Sequence, residues 1–90
     1  MADNLLDVEI VAEDHFVWSG QARSVSARTI DGEIGILPGH LPLLAVLGDG
    51  EVVVEAADGE AITAQAQGGF FSVDDANRVT IAASQAELSA

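Results

Sequence analysis

The sequence predicts an all-β fold, a sandwich or barrel, on three observations. Apolar and polar residues alternate with period two along most of the chain, the mark of strands with one buried face. Turn signals rich in Gly, Asp and Asn recur about every ten residues, the spacing of a small all-β domain. No stretch before Ala82 repeats its apolar residues at helical spacing.

Leu6, Val8, Ile10 and Ala12 mark one face of a first strand, with Asp7, Glu9 and Glu13 on the other. Asp14 and His15 turn the chain. Phe16, Trp18, Gly20 and Ala22 then alternate with Val17, Ser19 and Gln21, and Val25, Ala27 and Thr29 oppose Ser24, Ser26 and Arg28. Asp31-Gly32 reads as a hairpin turn, and Gly48-Asp49-Gly50 as a further turn. Val52, Val54 and Ala56 alternate with Glu51, Val53 and Glu55. Asp58-Gly59 reads as a two-residue hairpin turn, from which Ile62, Ala64 and Ala66 return. Gly68-Gly69 breaks or bulges the ladder. Phe71 and Val73 lead to a turn at Asp74–Asn77, and Val79, Ile81 and Ala83 form the last strand. The alanine-rich tail from Ala82 to Ala90 reads as a candidate turn of helix, too short to stand alone.

The 90 residues fit one domain, spanning 1–90. A chain of this size buries about two-thirds of its unfolded surface. With 49% hydrophobic but only 4% aromatic residues, the core must be built from Ala, Val, Leu and Ile. The absence of cysteine excludes disulfides and thiolate metal sites. No apolar run approaches the roughly 18 residues of a membrane span, and the N-terminus lacks the basic-then-apolar pattern of a secretion signal. Fifteen acidic residues face three arginines and no lysine, for a net charge of −12. That balance argues against nucleic acid, which needs a basic footprint, and against anionic lipid. It favours a basic protein partner, while the plainer reading of so acidic a surface is solubility.

Catalytic chemistry finds little purchase. No serine sits in a nucleophile elbow. The acidic turns Asp31-Gly-Glu33 and Gly48-Asp-Gly-Glu51 do not match a calcium loop. A phosphate-cradling loop with its lysine is excluded because there is no lysine. No cofactor is expected. His15, beside Glu13 and Asp14, reads as a solvated turn residue. His40 reads as structural, one ring nitrogen bonding the loop backbone. A carbohydrate- or peptide-binding module is the second functional class. Its aromatics would come from Phe16, Trp18, Phe70 and Phe71, with one of Phe16 and Trp18 in the core and the other at the rim. Phe70 and Phe71 point to opposite faces.

The densest segment is Asp31 to Leu44. It holds three glycines, both prolines and six large aliphatics: Ile34, Ile36, Leu37, Leu41, Leu43 and Leu44. It reads as a strand running into a sharp, packed corner, its aliphatics anchored in the core and Asp31, Glu33 and His40 left exposed.

The string Gly-Glu-Ile-Gly-Ile-Leu-Pro-Gly-His-Leu-Pro-Leu-Leu, from Gly32 to Leu44, resembles the signature of the epsilon subunit of bacterial F-type ATP synthases. Val17-Trp-Ser-Gly-Gln-Ala22 upstream and Gln67-Gly-Gly-Phe-Phe-Ser-Val73 downstream lie at matching distances. The resemblance implies a flattened antiparallel β-sandwich of about ten short strands. Most family members add a C-terminal helical hairpin, and this chain stops at Ala90, where the hairpin would begin, so the short form without that domain is expected. The resemblance further implies a non-catalytic central-stalk subunit that binds the gamma subunit and the polar loops of the c-ring, couples ring rotation to ATP synthesis, and sits peripherally on the cytoplasmic face of the bacterial membrane without inserting. Glu33, with Asp31 beside it, matches the acidic position at the c-ring, whose loops carry a basic residue. His40 matches the family histidine near the same end. Arg28 is the weaker candidate, a residue that solvates.

Overall fold

The computed structural model describes residues 5–89. Among them are six strands and no helix: β1 (Leu6–Ala12), β2 (Phe16–Thr29), β3 (Gly32–Ile36), β4 (Leu43–Ala56), β5 (Ala61–Val73) and β6 (Arg78–Leu88). Their order in the sheet is β1-β6-β5-β4-β2-β3, and an additional β1–β2 pairing closes the array on itself. The result is flattened, 37 × 27 × 21 Å. The all-β expectation holds. The segment near Ala82 continues as strand to Leu88 rather than turning helical, while Ala90 lies outside the described residues.

Two details differ from the expectation of about ten antiparallel strands. First, β1 and β6 run parallel, with Val8 opposite Val79 and Ile10 opposite Ile81. The first and last strands meet here, and no hairpin dictates their direction. Second, the strands are six because four of them each bend once and serve both layers. The burial pattern records every bend. In β4 the inward residue is Leu47 before the bend but Val52, Val54 and Ala56 after it, a change from odd to even positions. β5 changes from Ala64 and Ala66 to Phe71 and Val73, and β6 from Val79, Ile81 and Ala83 to Ala86. In β2 the inward residues change from Ala22 to Val25, Ala27 and Thr29 across a register shift between Ala22 and Ser24. A flat strand cannot change the face it buries, so each change marks a corner between layers. Cutting each of these four strands once yields ten straight segments, the number expected.

Glycines sit at two of the four corners, those of β4 and β5. Gly48-Asp49-Gly50 lies inside β4, not in a turn between strands. Gly50 pairs with Ala66 and Val46 with Phe70, but no pairing joins the three residues between. Across the gap Gly68 and Gly69 adopt φ of 65° and 105°, conformations that side chains disfavour. A Cβ on Gly69 would drive into the carbonyl of Ala82. The Asp58-Gly59 connection is longer than two residues: Ala57–Glu60 link β4 to β5, closed by Ala56 N–H to the Glu60 carbonyl at 2.8 Å.

The core lies between the layers. Phe71 is its largest fully buried side chain, surrounded by Leu6, Ile10, Ile36, Ile81 and the valines. Burying each such aliphatic contributes about 1.5–3 kcal/mol, so Ala, Val, Leu and Ile carry this fold as the composition requires.

Candidate functional site: a rim turn and an apolar outer row

Thr29, the one buried polar residue among the described residues, shapes the turn between β2 and β3. Its Oγ1 accepts a hydrogen bond from Asp31 N–H (3.1 Å) and donates one to the Gly32 carbonyl (2.7 Å). Gly32 supplies a φ of 120°. The turn therefore presents Ile30 and Asp31 at its tip, with Glu33 on the first residues of β3, opposite Arg28. Asp31 and Glu33 are both exposed, as expected. Arg28 does more than solvate: Cβ atoms on Gly48 and Gly50 would meet its stem, so the side chain lies along the glycine backbone of β4.

His40 is placed elsewhere, beyond the far end of β3. Leu37, Pro38, Gly39 and His40 form a turn closed by His40 N–H to the Leu37 carbonyl at 3.1 Å. Proline second and a glycine with φ of 87° third make it type II. The ring Nδ1–H donates to the Leu41 carbonyl at 2.7 Å, the backbone-bonding role expected. Gly39 N–H donates to Asn77 Oδ1 at 2.8 Å, tying the corner to the β5–β6 turn. In that turn Asp74 accepts the N–H groups of Arg78 (3.0 Å) and Ala76 (2.9 Å), and these bonds hold its carboxyl below the usual carboxylate range. Thus Asp31 and Glu33 are neighbours on one turn, while β3 separates them from His40. His15 lies in an exposed turn, its Nδ1 2.6 Å from Asp14. That hydrogen bond lowers the Asp14 carboxyl from its usual value.

The packed-corner expectation needs correction. Of its six aliphatics only Ile36 is buried; Ile34 and Leu43 are half-buried, and Leu37, Leu41 and Leu44 are exposed. The segment crosses from one layer to the other on the outside, where two prolines and a tight turn leave its leucines no second sheet to cover them.

Those leucines adjoin a feature that alternation alone did not reveal. On the outer face of the β4–β5–β6–β1 layer, Val46 pairs with Phe70, Phe70 with Ala82, Ala82 with Val11, and Val11 with Phe16. Ile30 N–H bonds the Val46 carbonyl at 3.0 Å and extends the row to the rim turn. Ile30 is 66% exposed, Phe16 59%, Phe70 56% and Val46 46%. Phe16 reaches the outside because a register shift after Ile10 skips Val17, while Trp18, opposite Ile10, stays half-buried against the core with its ring over Gly20. At ~4.8 Å per strand the row spans roughly 24 Å. The signal in the sequence was the run of large apolar residues at positions facing away from the core, but only the register joins them.

The comparisons with known proteins agree with one another. Residues 5–89 match the family described as ATP synthase, Delta/Epsilon chain, beta-sandwich domain. The chain is 68% identical over 83 residues to the ATP synthase epsilon chain of Micrococcus luteus, covering 92% of this chain and 90% of that one. It is 51% identical over 83 residues to the epsilon chain of Streptomyces avermitilis, covering 92% of this chain but 66% of that relative's length. Among solved structures, a chain of the Euglena gracilis mitochondrial ATP synthase, seen in an assembly with its c-ring, superposes with a TM-score of 0.88 at 26% identity, covering 98% of this chain and 56% of that one. With its six-strand sandwich and these matches, the chain belongs to the beta-sandwich domain family of the ATP synthase delta/epsilon chains, subunits of that complex that are not themselves catalytic.

Proposed function

We propose that this chain is a central-stalk subunit that binds the gamma subunit through its outer apolar row and the polar loops of the c-ring through the β2–β3 turn, coupling ion-driven rotation to ATP synthesis on the cytoplasmic face of a bacterial membrane. The row from Ile30 to Phe16 carries this reading. A chain of charge −12 keeps four large apolar side chains in one line on its surface, and aligned exposure of that kind marks a protein interface. Asp31 and Glu33 sit at the end of that line. They are free of ion pairs within the protein, since Asp14–His15 is the sole pair among the described residues. Two carboxylates on a turn held by Thr29 suit a basic loop. A rim pair of this sort contributes ~1 kcal/mol or less, so it sets registry while the apolar row supplies affinity. His40, whose Nδ1 is committed to the Leu41 carbonyl, shapes the leucine-bearing corner beside the row.

Charge reversal of both Asp31 and Glu33 in the assembled synthase tests the ring contact. Coupling of ion flow to ATP synthesis should fall, with the gamma complex retained on purification. Membranes that pump and synthesise normally with both charges reversed would remove the assignment.

A further inference from the structure

The outer row contains one small residue. Ala82 stands between Phe70 and Val11 in the cross-strand register, so the row dips there. The dip continues over Gly69, whose missing side chain and φ of 105° bring the backbone down onto Ala82 and Ala83. Val11, Phe70 and Ala82 line a depression of about 240 Å³ with Ala12, Glu13 and Ser84 at its edge. Size decides what fits. Ligand pockets run ~300–1,000 Å³ and enclose most of the ligand, whereas this depression is smaller and open to solvent along the sheet face. The depression suits a single side chain.

We infer that the depression between Phe70 and Val11, floored by Ala82 and Gly69, receives one aliphatic or aromatic side chain from the gamma partner, presented beside a basic residue that faces Glu13. This rests on the gamma-binding reading above. Three observations select the occupant. The walls are apolar, so an apolar group gains most by entering. The only charged residue in the lining is Glu13, and the chain as a whole is acidic, which favours a positive neighbour and disfavours a second copy of this chain. The hole also lies at an inner position of the row, where water is best excluded and interface anchors are strongest.

The test measures binding of purified chain to the gamma subunit for Ala82→Val, Ala82→Phe and Phe70→Asp, with thermal unfolding as the control for fold. Ala82 points outward, so larger groups fill the depression without entering the core, and the β-branched Val suits a strand. Ala82→Phe should weaken binding tenfold or more, Ala82→Val severalfold, and Phe70→Asp should abolish it. If both Ala82 variants are folded and bind like the parent while Phe70→Asp does not bind, the row stands and the hole is refuted. If Phe70→Asp also binds normally, the row is not the gamma surface and both readings fall. Should Ala82→Phe not fold, Ala82→Val alone decides between these outcomes.

Discussion

The two outer faces of the sandwich are made by the same strands yet have opposite chemistry. Before its bend β4 turns Leu44 and Val46 outward; after it, Glu51, Val53 and Glu55. β5 likewise shows Phe70 on one face and Thr63 and Gln65 on the other. On the second face Gln65 Nε2 donates to Glu51 Oε2 at 3.0 Å, and Ser24 and Glu55 come within 3.4 Å. These are the polar cross-strand pairs of a solvated sheet. β5 pairs with β4 on both sides of the bend, whereas β2 pairs with it mainly after the bend; one outer face is polar and the other carries the apolar row. Where a strand bends thus decides which of its residues lie on each outer face.

The largest effect should come from removing the bend. Gly69→Ala places a methyl against the Ala82 carbonyl in a backbone region hostile to side chains, and should destabilise by about 3–5 kcal/mol. Chemical denaturation would show a folded, near-normal midpoint if the corner has another cause. Next in size is the contrast of two valines on one strand. Val46→Asp, on the apolar face beside Phe70, should reduce gamma affinity by about 2–4 kcal/mol, whereas Val53→Asp, beside Ser26 and Thr63, should leave it unchanged. Equal losses would mean that the faces do not differ in function. Thr29→Val keeps the shape but deletes the hydroxyl of the rim turn; thermal unfolding should report a loss of about 1–2 kcal/mol. The smallest effect concerns Asp74. Its lowered carboxyl pKa means that its stabilisation is present above the ordinary carboxylate value and disappears as pH falls through the lower, folded one. Parent and Asp74→Ala should therefore differ at neutral pH and converge in strong acid. A gap that persists unchanged below that range would show that the carboxylate is not the cause.

Much of the fold was legible because strands with one wet face alternate. Leu6, Val8 and Ile10, or Val52, Val54 and Ala56, all lie inward as their spacing required. The bends were not, since Gly48-Asp49-Gly50 has the composition of a turn and the same freedom serves a corner within a strand. Nor was the parallel pairing of β1 with β6, which joins the two ends of the chain. The exposure of Asp31 and Glu33 was legible from a turn signal that keeps charges outside. The outer row was not, because Phe16, Val11, Ala82, Phe70, Val46 and Ile30 are neighbours only through five separate backbone pairings. The corner leucines misled for a related reason: a dense apolar stretch can be facing a partner as readily as a core.

The strands that pass through both layers also bear on mechanical load. In a sandwich of separate sheets the layers can slide apart once their apolar contact yields. Here β2, β4, β5 and β6 are each threaded through both layers, so shear between the two faces is resisted by covalent backbone. The β1–β2 pairing closes β1, β6, β5, β4 and β2 into a ring, with β3 attached at β2. A block built in this way behaves as one stiff body, and a push on one face displaces the other with little lost to internal slip.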